Sequence, residues 1–524
     1  MAAKIRKRAG RAATAGSTSV AESREHESLR CKGLLIKVRQ QDAARVQLDI
    51  GARFRQAQFQ LVLPDPLWLL VKSSSIPENP RRAFELAHSL TRIRGIVSLE
   101  LDLDRDTTAH ETSVEAPRAL RTQATPEDCR WHVEAVNAIA ARAKFKVDGA
   151  GIRIGHLDTG YTNNPELVLG ASVRADLGYN FYEDVVSPEE PLRTIDHGHG
   201  TATASVLIGA PGKQHTIPNV DAFAEGVAPG AELVPFRVDK NVWWIFGSKD
   251  ALGIRRAVEI GCHVISMSRS GPSYEALHDA VLYAIDKGVI VIAAAGNCNA
   301  GCDIYAPAQY PEVVCAGGST RAMTPWSSSS RGAAVTLCAP AHEVVRAFTI
   351  NDNGDYAYGV AQSSGTSYAT PIIAGAAALW LQRHGGHSAV VDKLGAPRLV
   401  APRFKALLVS KGWQPGHDWD ASKFGPGILD VMKLLDAPLT KTVRVKRPPL
   451  KITDDVMEVL ARAGIPRSGP RASLFRQELE VYRYLMPVAA GIIIRAQTER
   501  REASTGDLDS LPLSRDLRVA LSAH

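Results

Sequence analysis

Three short segments carry side chains suited to covalent chemistry. IRIGHLDTG delivers Asp158 from a strand into a Thr-Gly turn, DHGHGTATAS sets His199 before Gly-Thr and a small-residue helix, and SSGTSYATPIIAG places Ser367 at a Gly-Thr-Ser turn ahead of another helix. A serine hydroxyl is a poor nucleophile unless a base with a pKa near the working pH takes its proton as the new bond forms. Imidazole titrates in that window, and a carboxylate can hold the ring in the required orientation. Each residue alone has a plainer role, Asp158 as a turn former, His199 as a locally satisfied histidine and Ser367 as a helix cap. In the chain order Asp, His, Ser, each at a strand or helix edge, they read as a nucleophile, its base and the acid that orients the base.

Those edges belong to a regular alternation. Strand-like apolar runs at 152–157, 233–238, 263–267, 289–295 and 313–316 alternate with helical stretches at 201–208, 250–260 and 274–287. The pattern predicts an α/β fold with a mainly parallel sheet and helices on both faces. In such sheets ligand chemistry gathers at the carboxyl ends of the strands, just after these runs.

The rest of the chain divides by composition. Residues 1–30 form a basic tail expected to be disordered. Residues 31–104 read as a small α+β domain, with strands at 33–39, 67–72 and 96–104 and a helix at 79–93 that Pro80 opens and Gly95 stops. Residues 105–126 lack periodicity and read as an exposed, cleavable linker; 127–437 hold the catalytic motifs; 438–524 read as a helical C-terminal extension.

The chain has 524 residues, and 62 Lys and Arg against 55 Asp and Glu leave a net charge of +7, too mild to imply a nucleic-acid partner. The apolar runs 371–381 and 485–494 are too short to span a membrane, so no membrane association is expected. The N-terminus is positive with no apolar stretch behind it, which predicts a cytoplasmic protein, with an organellar transit peptide as the alternative. Seven scattered cysteines suggest reduced thiols, and Cys298 and Cys302 alone are too little for a metal site.

The sequence resembles the subtilisin-like serine peptidases (subtilases, peptidase family S8) over residues 127–437. Beyond the three motifs, WHVEAVNAIAARA followed by DGAGIRIGHLDTG resembles the start of a mature subtilase, and GVAPGAELVPFRV the strand after the histidine helix. HVISMSRSGPS resembles the substrate-binding strand, VIVIAAAGN the oxyanion segment, YAPAQYPEVVCAGG the pocket-floor loop and WDASKFGPGILD the domain end. The family pattern His-Gly-Thr selects His199 over His197, and it argues against the sedolisins, which place Glu where subtilases use His.

The resemblance implies a subtilisin-like three-layer fold and a serine endopeptidase, with Asp158, His199 and Ser367 as its triad. It implies that Asn297 and the Ser367 N–H stabilise the oxyanion, the Asn by a factor of about 10²–10³ in turnover, a magnitude known for subtilisin itself. A protein or peptide substrate would add as a strand along Ser268, Arg269, Ser270 and Gly271. Arg269 and Ser270 depart from the family's apolar residue and Gly, which suggests either a preference for acidic or small residues or an Arg269 that points to solvent. No cofactor is required for the chemistry; many subtilases bind structural calcium, so the resemblance alone raises that expectation, and no acidic loop assigns its ligands. RIRGIVSLELD resembles the last strand of a subtilase propeptide, so the 31–104 domain is either a self-cleaved intramolecular inhibitor or a permanent recognition domain. The C-terminal helices are a candidate surface for a protein partner. Alternatives for the whole are a catalytically silent binding protein and a peptide ligase or macrocyclase using the same acyl-enzyme.

Overall fold

The computed structural model describes residues 28–106, 126–168, 172–192, 198–210, 222–242, 247–271, 273–298, 304–352, 355–411 and 419–440. His197, Cys302, most of the linker and the extension after residue 440 lie outside them.

The first unit joins β1 (Ser28–Val38), α1 (Ala43–Arg53), β2 (Gln58–Pro64), β3 (Leu67–Lys72), α2 (Pro80–Leu90) and β4 (Ile96–Asp106). Its strands pair antiparallel in the order β2-β3-β1-β4. The helix at α2 starts where Pro80 and Asn79 predict, the Asn79 side chain accepting the Arg82 N–H. Neither α1 nor β2 is foreseen by periodicity. In α1 only Val46 and Ile50 are buried, too few to write a helical repeat.

Alternation along β4 works on both faces. Leu99, Leu101 and Leu103 are buried, and the intervening Glu100 and Asp102 are buried too, because they meet the second unit. Glu100 accepts the N–H groups of Glu275 and Ala276 at 2.6 and 3.1 Å, which open α8 (Glu275–Asp286). Asp102 accepts the N–H of Ser248 at 2.8 Å, which opens α7 (Ser248–Glu259). Two carboxylates one pleat apart therefore meet two positive helix ends. Lys37 adds contacts of 2.8 and 2.7 Å to Glu275 and Asp279, and Trp68 donates its indole N–H to Asp279 at 2.7 Å. Burial pushes the Glu100 carboxyl up to about 8 and Asp102 above the ordinary carboxylate range.

The second unit opens with α3 (Pro126–Ala135) and α4 (Ala138–Phe145). Its sheet runs β12-β11-β10-β9-β5-β8-β6, with β7 also on β8, and every pair is parallel. In chain order these are β5 (Arg153–Asp158), β6 (Ser172–Val173), β7 (Tyr179–Asn180), β8 (Glu232–Arg237), β9 (Val264–Met267), β10 (Ile290–Ala294), β11 (Val314–Ser319) and β12 (Leu337–Pro340). Central strands such as IVIAA are apolar throughout because helices cover the sheet. The short α5 (Pro165–Val168) and α6 (His199–Ile208) follow β5, and a hairpin of β13 (Val344–Asp352) and β14 (Asp355–Ser363) leads into α9 (Thr366–Arg383). The helix α9, buried from Thr366 to Leu381, packs across β9–β12 and against α6. This is the three-layer α/β fold expected from the sequence.

Candidate active site

Asp158 ends β5, His199 begins α6 and Ser367 is the second residue of α9. His199 Nδ1 and Asp158 Oδ1 are 2.7 Å apart, and Asp158 also accepts the Thr159 N–H at 2.7 Å. Burial alone would raise the Asp158 carboxyl, but His199, its hydrogen bond, His156 and the Thr159 N–H hold it below the ordinary range. The carboxylate is therefore ionised at neutral pH and the ring has one nitrogen committed to it. Burial lowers the pKa of neighbouring His156, which bonds to Thr203 Oγ1 at 3.0 Å.

Ser367 is held by its backbone. Pro371 stands four residues on inside α9 and has no N–H for the Ser367 carbonyl. The Ser268 hydroxyl, just past β9, fills that vacancy at 2.8 Å, and the Ser367 hydroxyl points back at the Ser268 carbonyl at 3.4 Å. Among the described residues, Ser367 and His199 share no hydrogen bond. The Ser367 N–H lies in the first turn of α9, where helical geometry supplies no acceptor.

Asn297 sits exposed in the turn after β10. Its Oδ1 accepts both the N–H and the hydroxyl of Thr366 at 2.9 Å each, and Thr366 Oγ1 accepts the Gly296 N–H at 3.1 Å. With the oxygen so committed, Nδ2 is left over; a Cβ on Gly365 would lie 3.5 Å from it. The amide thus caps α9 with one atom and offers a donor beside Ser367 with the other.

The stretch of 268–271 differs from the sequence expectation in one respect. Arg269 neither faces a substrate nor points to solvent: it is buried against Asp239 at 3.2 Å and Asp250 at 3.4 Å. Burial would lower the pKa of this guanidinium, but the two carboxylates raise it; Asp250 is pushed up to about 6 because its own burial outweighs the pull of Arg269. An acidic preference built on a free Arg269 charge therefore has no basis. Backbone donors here are partly occupied, Ser270 N–H by the Val242 carbonyl at 3.1 Å and Gly271 by two-way pairing with Ala306 at 3.0 Å. Sequence reasoning also missed Ser268 as a partner of Ser367, although Pro371 at the i+4 position was its signal. It missed Glu190 as well, a buried carboxylate bonded to Thr159 and Gly198.

Among the described residues no group of three or more His, Cys, Asp or Glu side chains is arranged to hold a metal ion. No calcium ligands are assigned. Among the described residues no helix is long and apolar enough to cross a membrane. Cys298 is half-buried beside Asn297, and the other described cysteines are buried and unpaired.

A buried Asp158 paired with a half-buried His199, and an N-terminal helix serine, at the carboxyl ends of parallel strands define a serine-peptidase scaffold of the subtilisin type. The Subtilase family model matches residues 149–412, and the chain belongs to that family. It is 31% identical to M-protease of Shouchella clausii over 60% of this chain and 76% of that protein. It is 33% identical to Subtilisin Savinase of Lederbergia lenta over 50% of this chain and 87% of that protein. Among solved structures it resembles fervidolysin of Fervidobacterium pennivorans, a keratinolytic enzyme related to subtilisin, with a TM-score of 0.58 and 19% identity over 80% of this chain and 63% of that chain. The chain is a subtilisin-like serine endopeptidase.

Proposed function

We propose that the chain hydrolyses peptide bonds of protein or peptide substrates through Asp158, His199 and Ser367, by way of an acyl-enzyme. The observation that carries this reading is the 2.7 Å contact between His199 Nδ1 and Asp158 Oδ1, which leaves Nε2 as the ring's proton acceptor. Ser367 Oγ attacks the scissile carbonyl carbon as its proton passes to Nε2. The hydroxyl turns from the Ser268 carbonyl to His199 when substrate arrives, since such contacts are commonly loose in unliganded sites. Asn297 Nδ2 and the Ser367 N–H then face the oxyanion. Collapse of the intermediate breaks the C–N bond as His199 gives its proton to the departing amine. Water, deprotonated by the same ring, cleaves the ester and returns Ser367 to its hydroxyl form.

The N-terminal unit is read as an inhibitor that the enzyme removes from itself. Its support is the burial of Glu100 and Asp102 against α7 and α8, the helices on either side of the substrate-binding stretch in sequence. Incubating wild type and Ser367→Ala with an unfolded protein in ¹⁸O-water tests the whole reading. New carboxyl ends carrying ¹⁸O, and a shortened wild-type chain beside an intact variant, are expected. Unlabelled, joined products would indicate a ligase, and equal cleavage by both proteins would contradict the mechanism.

A further inference from the structure

We propose that Glu190 is a positioning residue for the Asp158–His199 pair, tying the turn that follows Asp158 to the start of the helix that carries His199. The inference rests on the proposed roles of those two residues. Glu190 is 4% exposed, and its two oxygens take different partners. One accepts the N–H of Gly198, the residue before His199, at 2.8 Å; the other accepts the hydroxyl of Thr159, the residue after Asp158, at 3.0 Å. Thr159 Oγ1 in turn accepts the N–H of Gly200, the residue after His199, at 3.1 Å. The Glu190 N–H bonds to the Tyr161 carbonyl at 2.9 Å, so its own backbone is fixed to the same turn.

The packing around this bridge is equally specific. A Cβ on Gly200 would fall 2.0 Å from the Gly160 carbonyl oxygen, and one on Gly160 would fall 3.2 Å from Glu190 Cβ. The two backbone segments are thus pressed together with the carboxylate beside the seam. Both groups that face Glu190 are donors, and a carboxylate is the one side chain of this length with two acceptor atoms and no donor. An amide would set its NH₂ against one of them. Asp158 and Arg237 are the charged groups around it, and burial pushes its carboxyl up to about 8.

The test measures kcat and KM per titrated active site across pH for wild type, Glu190→Ala and Glu190→Gln, with fluorophosphonate labelling and thermal melts alongside. Misplacing a reacting group by about 1 Å costs up to about 10²-fold, so Glu190→Ala is expected to lower kcat by about 10- to 100-fold with KM within about twofold. The acid limb of the kcat profile should move to lower pH, because a less well-placed Asp158 supports the protonated ring less. Glu190→Gln, keeping one matched contact, should fall between. A kcat within about twofold of wild type, or a lowered kcat with an unmoved acid limb, overturns the proposal whatever happens to Tm. If Glu190→Ala does not fold, Glu190→Gln decides on the same two readings. A wild type that neither labels nor turns over would instead overturn the proposed function beneath it.

Discussion

Ser268 and Ser367 hold each other by reciprocal contacts: each hydroxyl points at the other's backbone carbonyl, at 2.8 and 3.4 Å. The shorter contact exists because Pro371 removes the helical donor that Ser367 would otherwise use. A proline in α9 thereby ties Ser367, the proposed nucleophile, to the strand end on which substrate is expected to lie.

Ser268→Ala leaves the Ser367 carbonyl buried without its donor. The expected cost is about 1–3 kcal/mol of stability, measured by denaturant unfolding, with kcat lowered because the helix start is no longer anchored. Unchanged stability and kcat would show the contact to be incidental.

Asn297→Ala should lower kcat by about 10²–10³ with little change in KM, a magnitude carried over from subtilisin's own oxyanion donor. It also uncaps α9. Thr366→Val, which removes one of the two anchors of Asn297 Oδ1, should produce a smaller fall in the same direction. Steady-state kinetics on a short peptide separate these effects from substrate affinity.

Arg269→Leu restores the apolar side chain usual in the family but strands Asp250 in the core. Breaking a buried pair in this way is expected to cost about 3–5 kcal/mol, and Arg269→Leu combined with Asp250→Asn should recover part of it. Peptide-library cleavage should show no acidic preference in wild type that the Leu variant loses.

Docking of the N-terminal unit should weaken as pH rises. Glu100 is pushed up from 4.5 to about 8, first by burial and then by the nearby Glu275 and Asp279 charges, against the two N–H bonds it accepts. Its protonated form is favoured in the docked state, so its contribution is fully present below about 4.5 and is lost as pH climbs through about 8. Hydrogen exchange at β4 and the start of α8, followed in the intact Ser367→Ala chain, should accelerate across that window. Glu100→Gln, which cannot titrate, should flatten the response.

The legible part of this protein is the part written locally. A fully buried strand must be apolar throughout, and the turn after it concentrates polar residues; that contrast located β5 with Asp158, β10 before Asn297 and the helix starts of His199 and Ser367. What escaped depends on distant partners. The neutralisation of Arg269 needs Asp239 and Asp250, residues 30 and 19 positions earlier that only the folded chain brings alongside. Glu190 lies in a segment without periodicity, and α1 shows too narrow an apolar face to stand out. Glu100 and Asp102 read as the solvent side of a half-buried strand; the second unit covers them.

Labelling with a fluorophosphonate probe tests the central claim most directly. The account predicts covalent attachment to wild type, before or after limited proteolysis of the N-terminal unit, and none to Ser367→Ala under either condition. Attachment to both proteins, or to neither after that proteolysis, would contradict a hydroxyl at Ser367 activated by His199.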